Sequence, residues 1–402
     1  MKKKMLIVGI TMAAAGSEKS FLSFAGSLDY DKYDVDLLLA KKTGDFLPLV
    51  PKEIRILEMG NMGEFFLINK NNARKIILRR YLLKNPFRIF ELLPYLFRMK
   101  KAKNPETRSF AAGRMWLSMM EKMPTFPGNY DIALAYWGDR TMFYMVDKVT
   151  AKKKIAWLHF DYSNPPREDV LYLEYFRKCD KVVTVSGEIE RSLKTALPEI
   201  AEKIVTVENI INRDEILSAA AVPVNFGDDF SGIRLLTVGR ICPQKGYDLA
   251  VPAMARLISE GYPIKWYIIG TGDENYTNAL SEQIREMKIS DQVVFLGVQQ
   301  NPYPFIRAAD IYFQPSRHEG KPIAVEEAKI LCKPIFVTAY TSAAEQMDHG
   351  RLGVVGEISE DGIYFGLKKL LDDETLRENL VKILGQSTKK EEKFTSVLNI
   401  FE

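Results

Sequence analysis

Short apolar runs alternate with segments of helical periodicity through the second half of the chain. Runs of this kind are typical of strands that are buried on both faces of a parallel sheet. Strand–helix alternation at this spacing predicts a doubly wound parallel α/β sheet. The predicted strands are 234–239, 264–270, 293–297, 311–316 and 334–338, and the predicted helices are 247–260, 275–288, 302–309, 323–331 and 342–349.

The first half carries a similar pattern, with a helix opening at Gly16 and another at 188–197. At 402 residues the chain exceeds the size at which a single hydrophobic core keeps growing, so two domains are expected. The pattern predicts a first Rossmann-like domain at 1–215, a linker at 216–231 and a second Rossmann-like domain at 232–385. A C-terminal segment, 386–402, is expected to form a helix that returns to the first domain. The predicted strands of the first half are 5–10, 34–40, 131–136, 154–159, 181–186 and 204–208.

Composition is that of an ordinary globular protein, with 47% hydrophobic and 27% charged residues. The three cysteines are few, distant and odd in number, which favours neither a disulfide framework nor a zinc site and indicates a reducing cytoplasm. The start of the chain resembles a buried strand more than a signal peptide. No run approaches the roughly 20 apolar residues of a membrane span. We therefore expect a cytoplasmic protein.

Positive charge is concentrated between Lys70 and Lys103. Eleven basic residues face one acid, Glu91, so this stretch carries +10 while the whole chain carries +4. Apolar residues are interleaved with the charges, and such a basic amphipathic segment can lie on an anionic membrane surface. A helix pair with a solvated basic face explains the pattern equally well. Nucleic acid is a third reading, but no known nucleic-acid-binding signature accompanies the segment, and we expect no nucleic-acid partner.

Two loops of the second half carry candidate phosphate ligands. The first predicted strand there ends at Gly239, and Arg240 and Lys245 follow it. An arginine fork and a lysine point charge on one strand-to-helix loop can bracket a diphosphate. Basic loop residues are more often simply solvated, so this loop alone does not decide the chemistry.

The loop from Pro315 to Pro322 is more informative because it runs from a strand end into a helix. A proline near the first helical turn and free backbone N–H groups make such a helix start an anion site. Glu319 lies on the loop, and Glu327, eight residues later, is expected about two turns up the helix. One carboxylate could accept hydrogen bonds from a sugar and the other from ribose. Glu326 leaves open which of the two neighbours faces inward.

Together these motifs resemble glycosyltransferase family 4, the retaining enzymes of the GT-B fold. Gly239-Arg240 with Lys245-Gly246, Gly270-Thr271-Gly272, and Glu319 with Glu327 cover nearly the whole second half. Gly16-Ser17-Glu18 and Ala156-Trp157-Leu158-His159 are weaker matches in the first half. The resemblance implies an α/β chain of two Rossmann-like domains facing across a cleft, the first for the acceptor and the second for the nucleotide-sugar donor.

The resemblance also implies the role of each site residue. Arg240 and Lys245 would hold the leaving diphosphate, Glu319 would contact the transferred sugar, and Glu327 would contact the ribose. His159 would lie beside the sugar, and Gly16 would let the backbone approach the phosphate. The remaining donor-site positions implied by the motifs are Gly270, Gly272, Gly320, Lys321, Pro322 and Ile323.

The resemblance implies a hexosyl- or N-acetylhexosaminyltransferase that uses a nucleotide-diphosphate sugar, a UDP-sugar by preference, in surface polysaccharide synthesis. The acceptor would be a glycan or a lipid-linked glycan. No metal or other cofactor is expected, because Arg240, Lys245 and a helix dipole can supply the positive charge. The acidic pairs at 29–31 and 34–36 lie before or at the start of the predicted strand 34–40 and not at its end, so we interpret them as turn residues instead of metal ligands.

The chain departs from the family pattern at Lys321-Pro322, where phenylalanine and glycine are usual. This departure leaves the sugar preference open. Two other functions also stay open: a GT-B nucleotide-sugar epimerase, and a catalytically silent partner of another glycosyltransferase.

Overall fold

The structure, a computed structural model, describes residues 2–13, 15–69, 72–387 and 399–401. Contacts divide the chain into two compact units, Met1–Glu208 with Phe394–Glu402, and Asn209–Lys393. The predicted linker, 216–231, therefore falls within the second unit, and its first residues belong to a helix. Phe226 of this stretch is buried, and the Asp228 carboxylate accepts hydrogen bonds from Tyr267 and pairs with Lys265.

The first unit contains a seven-stranded sheet whose neighbouring strands are all parallel. Its strand order is β3-β2-β1-β4-β5-β6-β7. The strands are β1 Lys3–Gly9, β2 Tyr33–Leu39, β3 Arg55–Glu58, β4 Asn129–Ala135, β5 Thr150–Leu158, β6 Lys181–Thr184 and β7 Ile204–Thr206. The α-helices are α1 Gly16–Gly26, α2 Ala73–Ile76, α3 Ile89–Lys101, α4 Pro105–Glu121, α5 Asp139–Lys148, α6 Asp169–Arg177 and α7 Gly187–Ala196, and a π-helical turn, Ile77–Leu82, continues α2.

The second unit contains a six-stranded parallel sheet of order β10-β9-β8-β11-β12-β13. Buried apolar residues such as Trp266 and Phe313 pack on one face and Tyr267 and Val325 on the other. The strands are β8 Ile233–Val238, β9 Ile264–Ile269, β10 Val293–Gly297, β11 Ile311–Gln314, β12 Ile335–Thr338 and β13 Val354–Gly356. The α-helices are α8 Arg213–Ala219, α9 Tyr247–Ser259, α10 Glu274–Glu286, α11 Tyr303–Ala308, α12 Ile323–Ile330, α13 Ala343–Gln346, α14 Glu360–Asp372 and α15 Glu374–Ser387.

The strand order places a topological switch point in each sheet. The order reverses between β1 and β4 in the first unit and between β8 and β11 in the second. Ligands of open parallel sheets bind beyond the carboxyl ends of the strands at such a point. The prediction of two doubly wound α/β domains is confirmed.

Three local predictions were wrong. Asp36 is not a turn residue: it lies inside β2, where its buried carboxylate accepts hydrogen bonds from Arg55 and Tyr130. The predicted helix 342–349 is the short α13 followed by a separate turn at Asp348–Gly350. Glu327 is the fifth residue of α12, a little over one turn from its start instead of two, because the loop after Glu319 extends to Pro322.

Among the described residues, no helix combines the length and the apolar character that crossing a bilayer requires.

Candidate donor site at the switch point of the second sheet

The two loops that carry the candidate phosphate ligands meet at the switch point of the second unit. Arg240 and Lys245 lie on the loop between β8 and α9, and Glu319 lies on the loop between β11 and α12. Strands β8 and β11 are neighbours, with Leu235 opposite Ile311. Residues far apart in sequence are therefore brought together because their strands end at the same edge of one sheet.

Lys245 and Glu319 form an ion pair, with Lys245 Nζ 2.6 Å from Glu319 Oε1. Only 13% of the lysine side chain and 9% of the glutamate side chain are exposed. The same Oε1 accepts a hydrogen bond from Ser316 Oγ at 2.6 Å and one from Gln314 Nε2 at 3.3 Å. Gln244 Nε2 donates to the other carboxylate oxygen, Oε2, at 3.5 Å. Glu319 is thus fixed by four donors, of which Ser316 and Gln314 are buried.

Arg240 differs from Lys245 because its side chain is exposed. Within the described part of the chain it makes neither an ion pair nor a hydrogen bond through its guanidinium. Of these two cations, Lys245 is therefore neutralised by Glu319, and Arg240 is free to bind an anion.

Arg317, which the sequence analysis did not single out, ties the two loops together. Its guanidinium contacts Asp248 of α9 at 2.7 and 2.6 Å and donates to the carbonyl of Pro243 at 2.7 Å. Its backbone N–H donates to the carbonyl of Gln244 at 2.8 Å. Burial raises the pKa of Asp248, but hydrogen bonds from Arg317 and Tyr276 outweigh it and hold that pKa below its usual range. Arg317 and Asp248 are structural supports of the site.

Gly270 and Gly272 allow the loop after β9 to pack against the loop that carries Arg240. A Cβ at Gly270 would lie 2.0 Å from the carbonyl oxygen of Gly239, and one at Gly272 would lie 1.8 Å from that of Ile241. Both glycines line an open cavity of about 380 Å³. Ile241, the residue after Arg240, also lines this cavity. The other lining residues are Thr271, Glu274, Thr277, Asn278 and Phe295.

The segment from Gly320 to Ile323 leads into α12, which begins at Ile323 with Pro322 as the preceding extended residue. Gly320, Pro322 and Ile323 are buried, and the Lys321 carbonyl accepts a hydrogen bond from Asn209 at 3.2 Å. Lys321 also helps to lower the pKa of Glu326. The positive charge of Lys321 therefore stabilises the negative charge of Glu326 on α12.

The two adjacent glutamates of α12 have different surroundings. Glu326 pairs with Lys329 at 2.9 Å and accepts a hydrogen bond from Gln346. Burial raises the pKa of Glu326, but Lys329 and Lys321 outweigh it, so that pKa is lowered. Glu327 is buried and accepts a hydrogen bond of 3.4 Å from Tyr303 of α11. Glu326 thus belongs to a structural ion pair.

In the first unit, His159 directly follows β5. Its ring stacks on Trp157 and contacts Tyr136. The Nε2 atom is enclosed and has no hydrogen-bond partner among the described residues. Burial lowers the pKa of His159 to about 3, so the ring is neutral near pH 7. A neutral histidine can hydrogen-bond a hydroxyl group without adding charge.

Gly16 is the first residue of α1, at the carboxyl end of the sheet and on the β1 side of the first switch point. A Cβ built on it would meet no atom within 4 Å. No backbone packing therefore requires glycine here, in contrast to Gly270 and Gly272. No group of three or more His, Cys, Asp or Glu residues is placed to hold a metal ion in the described ranges.

Part of the second unit matches a known sequence family. Residues 231–384 match the model of the glycosyl transferases group 1. The chain is 26% identical over 230 residues to an uncharacterised glycosyltransferase of Methanocaldococcus jannaschii, covering 56% of this chain and 55% of that protein. It is 27% identical over 172 residues to the N-acetylgalactosamine-N,N'-diacetylbacillosaminyl-diphospho-undecaprenol 4-alpha-N-acetylgalactosaminyltransferase of Campylobacter jejuni, covering 42% of this chain and 45% of that one. The chain thus spans about half the length of these curated relatives.

Similarity to solved structures extends over the whole chain. HepE of Anabaena, solved in complex with UDP and glucose, has a TM-score of 0.68 at 14% identity, covering 100% of this chain and 97% of that one. A likeness at this identity shows the fold. The chain has the GT-B fold, and residues 231–384 of its second unit match the glycosyl transferases group 1.

Proposed function

We propose that the chain is a retaining glycosyltransferase of family 4 that uses a UDP-sugar. It would transfer a hexose or N-acetylhexosamine to a glycan or lipid-linked acceptor in surface polysaccharide synthesis. The observation that carries the proposal is the free Arg240 on the same loop as Lys245, which pairs with Glu319 at the switch point of the second sheet. The group 1 match supports a transferase, the UDP and glucose bound to HepE support the donor class, and the Campylobacter relative supports the acceptor class.

The charges of the site suit the bond that must break. Cleavage between the anomeric carbon and the diphosphate places negative charge on the leaving phosphate and positive charge on the sugar ring. Arg240 and Lys245 stabilise the leaving phosphate, and the positive end of α12 adds to them. With these groups present, the reaction requires no metal or other cofactor.

Glu319 exchanges one partner, Lys245, when the donor binds. A diphosphate that contacts Lys245 competes with Glu319 for the hydrogen bonds that the lysine ammonium donates. Ser316 and Gln314 continue to hold the carboxylate, which then accepts hydrogen bonds from sugar hydroxyls. We propose a same-face substitution without a side-chain nucleophile, in which the leaving phosphate assists deprotonation of the acceptor. By the family resemblance, Glu327 binds the ribose, His159 contacts the sugar and Gly16 admits the phosphate.

A thermal-shift screen tests the donor class. Nucleotide diphosphates and their sugars are added to the full chain, and the melting temperature is followed, since a ligand that binds the folded state raises stability by mass action. We expect UDP and UDP-sugars to raise the melting temperature more than GDP or ADP and their sugars. A larger shift with another base would reject the uridine assignment and retain the transferase.

Removing either cation tests the chemistry. We expect Arg240→Ala and Lys245→Ala each to lower kcat by roughly 10²–10³, because each removes a charge that stabilises the leaving phosphate. Arg285→Ala, at the exposed end of α10, is the control and should leave kcat unchanged. Near-normal turnover in both site variants would reject the proposal. An epimer formed from a UDP-sugar alone would favour the epimerase, and donor binding without turnover across an acceptor panel would favour the silent partner.

A further inference from the structure

Exposed apolar side chains are concentrated in one segment of the first unit. Among the described residues, fifteen large apolar side chains are exposed, and seven of them lie between Leu78 and Phe97. Exposed surface of this kind is usually a contact site when it is contiguous. The seven and their exposed fractions are Leu78 55%, Leu83 70%, Phe87 77%, Phe90 65%, Leu93 46%, Leu96 41% and Phe97 57%.

Helix α3 presents two different faces. Leu92 is buried, and Tyr95 and Met99 pack with it against the core of the first unit. Phe90, Leu93 and Phe97 follow each other at spacings of three and four residues, which places them together on the opposite face. Phe90, Leu93 and Phe97 thus form one exposed apolar stripe, and the other side of the helix packs against the core of the first unit.

The same segment carries cations that have no acidic partner. Arg80 is neutralised by Glu64, and the one acid of the segment, Glu91, accepts a hydrogen bond from Tyr81. Nine other cations make no ion pair with any residue that the structure describes, and Lys70 lies outside the described residues. The nine are Arg74, Lys75, Arg79, Lys84, Arg88, Arg98, Lys100, Lys101 and Lys103.

We propose that this basic apolar face, residues 74–103, binds an anionic lipid surface. Aromatic and aliphatic side chains enter the headgroup–acyl boundary while lysine and arginine heads stay among the phosphates. The Lys101 ammonium, 4.3 Å from the Phe97 ring, shows a cation and an aromatic group next to each other on this face. A second copy of the chain fits less well, because two such faces would bring like charges together. A nucleic acid would use the cations but leave the apolar stripe exposed.

This inference goes beyond the transfer reaction, because it depends on no residue of the donor site. Its test is co-sedimentation of the full chain with vesicles of phosphatidylcholine alone or of phosphatidylcholine mixed with phosphatidylglycerol. We expect binding to the anionic vesicles that weakens as salt is raised, since salt screens surface charge. Absence of binding to anionic vesicles would overturn the proposal whether or not the chain transfers sugar.

Two variants with matched controls assign the binding to this face. Replacing three of its cations, K84Q/R98Q/K101Q, should weaken vesicle binding by about a hundredfold, at about fivefold per charge. Replacing three aromatic residues, F87S/F90S/F97S, should weaken it by at least about tenfold. The controls, K52Q/K369Q/K382Q and V170S/V222S/F365S, remove exposed lysines and exposed apolar side chains elsewhere and should bind as the wild type.

Equal loss in the controls would overturn the assignment to this face. A loss of self-association in F87S/F90S/F97S without a loss of vesicle binding would show an interface between copies, and stronger binding to RNA than to vesicles would show a nucleic-acid surface. Either result overturns the proposal. Circular dichroism melting of each variant checks that the first unit is folded.

Discussion

At the residue scale, the position of Glu319 depends on uncharged neighbours as well as on Lys245. Gln314 Nε2 donates to Ser316 Oγ at 2.8 Å and to Glu319 Oε1 at 3.3 Å, and the Gln314 side-chain oxygen accepts from Tyr312 at 3.0 Å. All three neighbours are buried. A buried carboxylate held in this way keeps its orientation when Lys245 turns to a phosphate.

We predict that Gln314→Leu lowers kcat about tenfold, because it removes one of the four side-chain hydrogen bonds to Glu319. Gln314 is a positioning residue that acts through Glu319, so the KM for the donor should change less than kcat. Steady-state kinetics with varied donor concentration measures both. An unchanged kcat would show that Lys245, Ser316 and Gln244 suffice to hold the carboxylate.

His159 gives a prediction about pH. In the unfolded chain its pKa is about 6.5, whereas burial lowers the pKa to about 3 in the folded protein. Between these values the unfolded state binds the proton and the folded state does not, so stability falls as pH drops below about 6.5. At pH 5 this effect is about 2 kcal/mol. In His159→Gln the loss of unfolding free energy between pH 7 and pH 5 should be smaller than in the wild type by that amount. Unfolding free energies, measured by urea titration, that fall equally in wild type and His159→Gln between pH 7 and pH 5 would contradict this prediction.

At the element scale, the donor site is two strand-to-helix loops in direct contact. Gly246 ends the first loop with φ +67°, and a Cβ on it would lie 2.0 Å from the carbonyl oxygen of Pro315 on the second loop. Only glycine combines this φ with so close an approach. The contact sets the distance between the Lys245 and Glu319 backbones.

We predict that Gly246→Ala destabilises the second unit by at least about 2 kcal/mol and weakens donor binding, because the two loops must separate. Gly16→Ala is the matched comparison, since its Cβ would meet no atom within 4 Å. Its melting temperature should stay at the wild-type value. Reduced turnover of Gly16→Ala at that unchanged melting temperature would support a phosphate approaching Gly16. A Gly246→Ala protein as stable as the wild type would contradict the loop contact.

At the scale of the whole molecule, the chain returns to the first unit after completing the second. Helix α15, the last α-helix described in the second unit, ends at Ser387. Ile400 and Phe401 belong to the first unit and are buried there. The Phe401 ring packs with Phe24 of α1 and Tyr33 of β2, and its carbonyl accepts a hydrogen bond from Lys153 at 3.4 Å.

We predict that Phe401→Ala lowers the unfolding free energy of the first unit by about 3–5 kcal/mol, because it leaves a cavity between α1 and β2. Phe365→Ala, whose side chain is 60% exposed on α14, should cost less than about 1 kcal/mol. Urea unfolding followed by tryptophan fluorescence compares the two. Equal effects would show that the terminal residues contribute little to the first core.

The sequence by itself determined the fold class and the placement of Arg240, Lys245 and Glu319 at strand ends, because apolar runs and helical periodicity are local properties. The family resemblance supplied roles for these residues, which periodicity alone does not contain. The prediction from local charge was wrong at Asp36, which was assigned to a turn. Its carboxylate lies inside β2, where Arg55 compensates its charge and Tyr130 donates a hydrogen bond to it.

Only the tertiary structure decided which side chains meet. The strand order makes β8 and β11 neighbours and so pairs Lys245 with Glu319, 74 residues apart in sequence. Arg317, Asp248 and Gln314 carried no sequence signal, because their role comes from partners on other loops. Likewise, the charge count between Lys70 and Lys103 was visible in the sequence, but the burial of Leu92 and the exposure of Phe90 and Phe97 depend on how α3 packs against the rest of the first unit.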